Sequence, residues 1–265
     1  VGRVVAAMRD PNPQVAGRGL AQLQAAGIAV DCGLLEEPAR ELNIGFVSRM
    51  TRGRPWVRSK AAASLDGKTA LANGVSQWIT GAAARQDVQT WRARACAMLT
   101  GVGTVLADDP QLNVRDIETS RQPLRVVIDS QLRTPPSAKI LRGGALIVCA
   151  SDNAAKRQAL QDAGAEVLIL PGADGRVDLT RLLQSLAERE VNELMVEAGA
   201  TLNGALLEAG LVDELVLYLA PMLLGDMARG LFALSALKKM DERTDLILRD
   251  VRQVGNDMRV IARVK

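Results

Sequence analysis

The feature of this chain that most constrains its fold is a regular alternation of strand-like and helix-like segments. Short runs rich in Val, Ile and Leu, such as LRVVID at 124–129 and GALIVCA at 144–150, recur along most of the sequence. Segments with apolar residues at helical spacing separate them, for example 152–164 and 178–190. Because parallel strands need a crossover connection, which is usually a helix, this order predicts an α/β fold with a mostly parallel sheet.

Hydrophobic periodicity and the residues that begin or end helices define the individual elements. Strands are predicted at 3–8, 56–64, 97–102, 124–129, 144–150, 166–171, 193–199 and 214–221, and helices at 14–26, 80–95, 152–164, 178–190 and 200–210. Ser151 and Asp152 are predicted to cap the third helix, because their side-chain oxygens can accept from its first N–H groups, and Gly164 is predicted to end it. The segment TRGRP at 51–55 interrupts a helical pattern and predicts a domain boundary.

The C-terminal segment departs from the alternation. Residues 244–264 contain two strand-like runs around VGND at 254–257, and Gly and Asn between such runs are typical of a tight antiparallel hairpin. A parallel sheet that finishes in a hairpin is less regular than a doubly wound Rossmann fold. We therefore expect an α/β fold with a mixed sheet, flanked by helices and ending in an antiparallel β-hairpin.

Composition excludes several classes of partner. The chain has 33 Lys and Arg against 30 Asp and Glu, without a basic block, and only 2% of its residues are aromatic. Nucleic-acid binding usually needs concentrated positive charge and aromatic side chains for base stacking, so no nucleic-acid partner is expected. The sequence contains no apolar run of about 18 residues, so no membrane span is expected.

Cysteine and histidine usage bears on metals and on the cellular compartment. There is no His, and Cys32, Cys96 and Cys149 lie far apart, so the spacing of a zinc site is absent and no metal is expected. An odd number of cysteines argues against a secreted disulfide framework. Three buried thiols in the reducing cytoplasm are the simplest interpretation.

A phosphate-binding P-loop is one hypothesis for the function. AASLDGKT at 62–69 ends in Gly67, Lys68 and Thr69, and VVID at 126–129 resembles the strand that carries a Walker B aspartate. The P-loop pattern requires a glycine where this chain has Ala62, and a Cβ there would stiffen the loop. A simple Asp-Gly turn is the competing interpretation.

Two further glycine-containing segments indicate ligand sites. LTGVGTVLADDPQLNVR at 99–115 has a Gly-x-Gly after a strand, but Leu106 replaces the last glycine of the dinucleotide fingerprint. VEAGATLNGALLEAG at 196–210 places Gly204 inside a helix, where glycine costs about 1 kcal/mol relative to Ala, so close approach of a ligand or of the sheet is expected. The start of that helix is also suited to anions. Plain strand-to-helix turns are the alternative interpretation of both.

Arginines on the helix at 80–95 are a fourth candidate. Arg85 and Arg92 are seven residues apart and share one face, and Trp78 lies just before the helix. A solvated basic face is the default interpretation of this pattern. A phosphate clamp is the functional alternative, because the planar guanidinium binds phosphate through two hydrogen bonds.

Taken together, these segments resemble a known family in order and spacing. The stretches that carry the resemblance are RPWVRSKAAASLDGKTALANGVSQWITG, RARACAMLTGVGTVLADDPQLNVR, LRVVIDSQLRTP and ELMVEAGATLNGALLEAGLVDEL. They resemble the reductase domain of the bifunctional riboflavin-biosynthesis deaminase/reductase, which implies a reductase domain at 54–265. VVAAMRDPNPQVAGRGLAQLQAAGI at 4–28 is similar to the end of that family's deaminase domain, which implies a cytidine-deaminase-like remnant plus linker helix at 1–53. The zinc-binding deaminase elements would lie upstream of Val1.

The resemblance implies a dihydrofolate-reductase-like fold, a cytoplasmic homodimer, and NADPH as the cofactor. The implied reaction reduces 5-amino-6-(5-phosphoribosylamino)uracil to its ribitylamino counterpart. Residues implied on the nicotinamide side are Ala62, Trp78, Thr104, Asp108, Ser130, Gly199, Ala200, Thr201, Leu202, Asn203, Gly204 and Ala205. Residues implied on the side of the sugar phosphate are Ser76, Arg92, Leu112, Arg115 and Glu197.

Proton transfer in such a reaction has few candidate groups in this chain. Without His, it is left to Lys60, Asp108, Glu197 or water. Lys60 is of most interest, because a lone Lys among the small residues of a strand is awkward as a purely structural choice. Arg133 is a candidate for contact with the 2′-phosphate of NADPH. The rival hypotheses are a P-loop-like NTPase and a catalytically silent module for dimerisation or scaffolding.

Overall fold

The structure is a computed structural model that describes residues Val1–Lys265. Its internal contacts divide the chain into two compact units. The first contains Val1–Trp56 together with Leu183–Asn192, and the second contains Val57–Leu182 together with Glu193–Lys265. All the candidate site residues named above lie in the second unit.

The first unit contains a small pair of parallel strands and three helices. These elements are β1 (Arg3–Ala6), α1 (Arg18–Ala25), β2 (Ala29–Cys32), α2 (Glu36–Leu42) and α3 (Ile44–Arg52). Strands β1 and β2 pair in parallel across the α1 crossover. No strand was predicted at β2, and only an unplaced linker helix was expected between α1 and Arg54. Helix α3 ends at Gly53, whose φ of 66° lies in the left-handed region that favours glycine.

The second unit is organised around a nine-stranded sheet. Its strands are β3 (Trp56–Ser64), β5 (Ala97–Gly101), β6 (Leu124–Ile128), β7 (Ala145–Cys149), β8 (Ala165–Ile169), β9 (Glu193–Val196), β10 (Glu214–Ala220), β12 (Leu246–Val254) and β13 (Asp257–Val264). Their order across the sheet is β12–β13–β10–β3–β9–β5–β6–β7–β8. Short strands β4 (Lys68–Ala70) and β11 (Arg229–Gly230) form a separate antiparallel pair.

The pairing confirms the mixed sheet predicted from the sequence. Strand β10 is parallel to β3, and the pairs β9–β5, β5–β6, β6–β7 and β7–β8 are also parallel. Strand β13 is antiparallel to both β10 and β12. The hairpin of β12 and β13 turns at Gly255, whose φ is 63°.

Five helices connect these strands: α4 (Ala82–Arg94), α5 (Val102–Asp108), α6 (Ala154–Asp162), α7 (Leu179–Glu188) and α8 (Ala200–Glu208). Two short 3₁₀ turns lie at Lys139–Leu141 and Met240–Glu242. The predicted cap of α6 is wrong, because Asn153 caps it by accepting a hydrogen bond from the Lys156 N–H at 3.1 Å. Ser151 instead donates to the Ser130 carbonyl at 3.0 Å. No helix in this structure combines the length and the apolar character needed to cross a bilayer.

Aliphatic side chains build the core of the second unit, as the low aromatic content requires. Tyr218 is the only aromatic residue among the largest fully buried side chains, and Met98 lies in the same cluster. The expectation of three buried thiols is wrong in part. Cys149 is buried within the core, but Cys32 is exposed.

Candidate active site

Three parallel strands end side by side at one edge of the sheet. Strand β5 lies between β9 and β6, with Leu99 opposite Val196 and Gly101 opposite Ile128. Glu197 directly follows β9, and its N–H donates to the Leu99 carbonyl at 2.9 Å. The chain runs from β5 outward through β6, β7 and β8 and then returns to the other side of β5 as β9. Open α/β sheets bind ligands outside the carboxyl ends of their strands, at the point where the strand order reverses in this way.

The first turns of two helices lie at this edge and leave open space. Gly101 precedes α5, and Gly199 precedes α8. A Cβ added at Gly101 would lie 3.4 Å from the Leu202 side chain, so the two first turns are adjacent. A Cβ added at Gly103 or at Gly199 would meet no protein atom within 4 Å. The edge therefore combines small residues with room for a ligand.

Not every residue of the 199–205 segment faces that space. The Asn203 side chain is buried, accepts from the Ser59 hydroxyl at 3.2 Å, and donates to the Ala198 carbonyl at 2.9 Å. A Cβ at Gly204 would lie 2.3 Å from the carbonyl oxygen of Ala233. The expectation of a ligand or the sheet near Gly204 is thus wrong, because the backbone of a following loop requires this glycine. Asn203 and Gly204 hold α8 in place.

A buried ion pair joins α4 to the end of β9. The Arg92 guanidinium donates from Nε to Glu197 Oε1 at 2.7 Å and from Nη2 to Oε2 at 2.9 Å. Its Nη1 donates to the Asn113 carbonyl at 3.1 Å. Burial would raise the pKa of Glu197, but the charges of Arg92, Lys60 and Arg115 outweigh it and lower that pKa to about 2. Glu197 is therefore ionised at neutral pH, and much of the Arg92 fork is already occupied.

The pKa of Lys60 depends on its burial and on two charged neighbours. It lies on β3 opposite Val216 of β10, and its Nζ is 5.9 Å from the centroid of the Tyr218 ring. Desolvation lowers the pKa of Lys60; the Glu197 carboxylate opposes that effect, and the Arg92 charge adds to it. A lysine with a lowered pKa is a stronger acid than an ordinary lysine, so Lys60 is suited to donating a proton.

The segment that follows α5 presents Arg115 to solvent. The Arg115 N–H donates to the Gln89 side-chain oxygen at 2.9 Å, while the side chain itself is exposed. Its charge is close enough to contribute to the low pKa of Glu197. Leu112 differs from the expectation of a substrate contact, because its side chain is buried in the hydrophobic core. Only its backbone, at a positive φ of 48°, remains available to a ligand.

Sequence reasoning missed the polar residues that support these side chains. Gln89 fixes the Arg115 backbone, and Asp87 on the same helix accepts a hydrogen bond from Tyr218. The sequence suggested only a Walker B role for Asp129. In the structure its carboxylate accepts hydrogen bonds from the Thr134 N–H at 2.6 Å and from the Thr134 hydroxyl at 2.8 Å. Its position at the end of an apolar strand, five residues before a Thr, is a signal for a turn of this kind.

Comparison with known proteins identifies the family. Residues 55–260 match the family model described as the RibD C-terminal domain. This chain belongs to the RibD reductase family. It is 47% identical over 270 residues to the riboflavin biosynthesis protein RibD of Escherichia coli K12, covering 97% of this chain and 73% of that protein.

Solved RibD structures share the fold along the whole chain. Acinetobacter baumannii RibD (form 1) matches with a TM-score of 0.90 and 44% identity, covering 100% of this chain and 73% of that one. A Thermotoga maritima protein described as a diaminohydroxyphosphoribosylaminopyrimidine deaminase/5-amino-6-(5-phosphoribosylamino)uracil reductase matches with a TM-score of 0.85 and 27% identity, covering 100% and 72%. The dihydrofolate-reductase-like fold is thus confirmed, and the chain is a pyridine-nucleotide-dependent oxidoreductase of riboflavin biosynthesis.

The RibD assignment and the local structure overturn the P-loop hypothesis. A P-loop needs a helix after Lys68 and Thr69, but these residues belong to strand β4, which pairs with β11. Gly67, with a φ of 74°, closes a turn in which its N–H donates to the Ser64 carbonyl at 2.9 Å. The Asp-Gly turn was the correct interpretation.

The remaining predicted RibD site residues lie on separate segments of the second unit. Thr104 is half-buried on α5, and Asp108 is exposed at the last residue of that helix. Ser130 follows β6 and is half-buried, as is Ser76. Trp78 is 70% exposed, with the Arg85 guanidinium 4.6 Å from its ring centroid. Arg85 thus contacts an aromatic ring, and it lies outside the ion pair that Arg92 forms.

Proposed function

We propose that this domain uses NADPH to reduce 5-amino-6-(5-phosphoribosylamino)uracil to 5-amino-6-(5-phosphoribitylamino)uracil. The observation that carries the proposal is the cluster of Lys60, Arg92 and Glu197, which lies where the strand order of a RibD reductase sheet reverses. The description of the Thermotoga maritima relative as a reductase of this compound supports the choice of substrate.

The residues at the sheet edge suit a dinucleotide. The cofactor side comprises the first turn of α8 from Gly199 to Leu202, together with Thr104, Asp108, Ser130, Ala62 and Trp78. The open space over Gly103 and Gly199 lets a ligand approach the backbone closely, and the N–H groups at the start of α8 favour phosphate. When bound, the nicotinamide supplies hydride at its C4 atom.

We assign to Lys60 the delivery of the proton that the reduction consumes. The substrate is a glycosylamine, and its ribose ring must open to an imine before C1′ can accept hydride. Ring opening breaks the bond from C1′ to the ring oxygen and forms the C1′=N bond, while the amine gives up one proton and the ring oxygen gains one. Reduction of the imine then consumes one hydride at C1′ and one proton at nitrogen. The Glu197 carboxylate opposes the lowering of the Lys60 pKa by desolvation, and it cannot itself donate a proton because its pKa is about 2. The exposed Arg115, with the free donors of Arg92, is assigned the 5′-phosphate.

Three wider expectations also belong to the proposal. We place the RibD reductase domain at 54–265 and a remnant of a deaminase-like domain at 1–53. The change of unit between Trp56 and Val57 supports the boundary, although Leu183–Asn192 group with the first unit. We propose a cytoplasmic homodimer, for which the apolar residues exposed on edge strand β12, among them Leu248 and Val251, are one candidate surface.

Titration of the purified chain with NADPH and then NADH tests the cofactor. Quenching of Trp78, which is exposed beside the proposed site, reports binding. We expect saturable binding that favours NADPH by at least about tenfold. Arg133→Ala should remove the preference and leave NADH affinity unchanged, with the exposed Arg176→Ala as the matched control. Folded protein that binds neither cofactor would instead favour the silent module.

A further inference from the structure

A buried series of polar side chains connects the Lys60 side of the site with the C-terminal hairpin. Tyr218 lies on β10 in register with Ala62 of β3, and it is fully buried. Its hydroxyl donates to Asp87 Oδ2 on α4 at 2.5 Å. Arg259 of β13 donates to the two oxygens of the same carboxylate at 3.1 and 2.8 Å. The function proposed above gives these three residues no role.

The face of the Tyr218 ring lies next to the ammonium of Lys60. The distance from Nζ to the ring centroid is 5.9 Å. The face of an aromatic ring is negative, so it attracts a cation, and the attraction is stronger when both groups are shielded from water. Lys60 depends on such contacts, because desolvation and the like charge of Arg92 both favour its neutral form. The ring thus adds to the support that Glu197 provides.

We propose that Tyr218 is a positioning residue of the reductase site, whose ring holds the Lys60 ammonium charged and in place while Asp87 and Arg259 fix the ring. The inference rests on the proposed function, since it assumes that Lys60 delivers the proton. The geometry on which it stands is independent of cofactor and substrate.

The hydroxyl contact explains why this core position carries Tyr and not Phe. A buried hydroxyl is costly unless it has a partner, and Asp87 is that partner. The Asp87 charge is balanced by Arg259, which also pairs with Asp250 at 3.0 Å. Burial and the hydrogen bond to Asp87 raise the pKa of Tyr218, so it remains a neutral donor at any working pH. These bonds fix the orientation of the ring below Lys60.

Several charged groups surround Lys60, and a test must separate them. Glu197 and Arg92 act on it directly, and Arg115 acts on Glu197. Asp87 lies beyond the ring, on α4. Arg58 is two residues away on β3, but it is paired with Glu193 and Glu214. Substitution at position 218 changes the ring and leaves all of these charges in place.

The test compares Tyr218→Leu with Tyr218→Phe. The readout is the titration midpoint of the Lys60 ammonium, measured by NMR on ¹⁵N-lysine protein without cofactor and assigned with Lys60→Arg. Tyr218→Leu should lower the midpoint by about 0.5 to 1.5 pH units, and the alkaline limb of turnover should shift by the same amount. Tyr218→Phe keeps the ring and should keep the midpoint, while its urea midpoint falls because Asp87 loses a partner.

Fluorinated phenylalanines at position 218 cover the case in which Tyr218→Leu does not fold. They keep the shape of the ring and weaken its negative face, so the Lys60 midpoint should fall steadily with fluorine content. A midpoint that stays constant through the series, with only stability changed, would overturn the proposal. Failure of the proposed function has a different sign, since the unaltered protein would then show no NADPH-dependent turnover although the Lys60 midpoint still fell in Tyr218→Leu.

Discussion

The carboxylate of Glu197 determines which residue of the site can supply a proton. Its low pKa follows from three neighbouring cations, of which Arg92 binds it through two hydrogen bonds. A group that is ionised throughout the physiological range cannot act as an acid, but it can hold a cation charged and in place. The division of labour between Glu197 and Lys60 therefore follows from their environments, as in other sites where two neighbouring titratable groups differ in pKa.

Glu197→Gln should reduce kcat more than it reduces NADPH affinity. The amide keeps the shape of the side chain but removes the negative charge, so the pKa of Lys60 should fall further and Arg92 should lose its ion pair. We expect kcat to fall by about one to three orders of magnitude, with the NADPH Kd within a few-fold of the original. Steady-state kinetics and fluorescence titration measure the two effects. The control is Glu208→Gln at the far end of α8, and an unchanged kcat in Glu197→Gln would refute the assigned role.

At the scale of elements, two glycines near the sheet edge have opposite surroundings. Gly103 lies in α5 with open space beyond its Cα, whereas Gly204 lies in α8 against the backbone of Ala233. Loop 231–235 is further tied to α8 through the Ala233 N–H, which donates to the Ala200 carbonyl at 3.0 Å. Gly204 thus serves packing, and Gly103 remains free to serve a ligand.

Substitution of each glycine by Ala should separate these roles. Gly204→Ala should lower the melting temperature, because the Ala233 backbone must move to admit a methyl group. Gly103→Ala should keep or raise it, since Ala favours a helix by about 1 kcal/mol, while NADPH affinity falls if the cofactor occupies the open space. Calorimetry and NADPH titration on both variants provide the measurements. Unchanged NADPH affinity in Gly103→Ala would remove α5 from the proposed cofactor site.

Elements with an apolar period could be predicted from the sequence, and their long-range partners could not. The eight predicted strands and the terminal hairpin are present, because buried runs and the turn residues at 254–257 are local signals. The bond from Tyr218 to Asp87 joins residues 131 positions apart, and that from Gly81 N–H to Asp257 joins residues 176 apart. No local pattern marks such pairs. The resemblance named Arg92 and Glu197, but it did not indicate that they bind each other.

At the scale of the whole molecule, the absence of His leaves the pH response to carboxylates and to Lys60. Three carboxylates in the second unit are held well below their ordinary ionisation range. Neighbouring cations lower the pKa of Glu197 to about 2, against the opposing effect of burial. The pKa of Asp66 is lowered to about 2, mainly by the hydrogen bond from Ser64. The pKa of Asp250 is also lowered to about 2, mainly by the hydrogen bond from Arg252.

Stability of the second unit should therefore decline on the acid side. A carboxyl group whose pKa is lower in the folded state stabilises the fold above its unfolded pKa, and this stabilisation is lost as the pH falls through the folded pKa. The unfolded values are 4.5 for Glu197 and 3.8 for the aspartates, so the loss should begin near pH 4.5 and continue to about pH 2. The buried Glu197 accounts for at most on the order of 3 kcal/mol of it.

Urea denaturation at a series of pH values, followed by tryptophan fluorescence, measures this decline. In Glu197→Gln the slope below about pH 4.5 should be smaller, while the exposed Glu37→Gln should retain the original slope. Asp66 and Asp250 are exposed to salt, so their share should shrink in concentrated NaCl, whereas most of the Glu197 share should persist because its pair with Arg92 is largely shielded from solvent. A urea midpoint that stays constant down to about pH 3 would contradict the ion-pair arrangement described for this site.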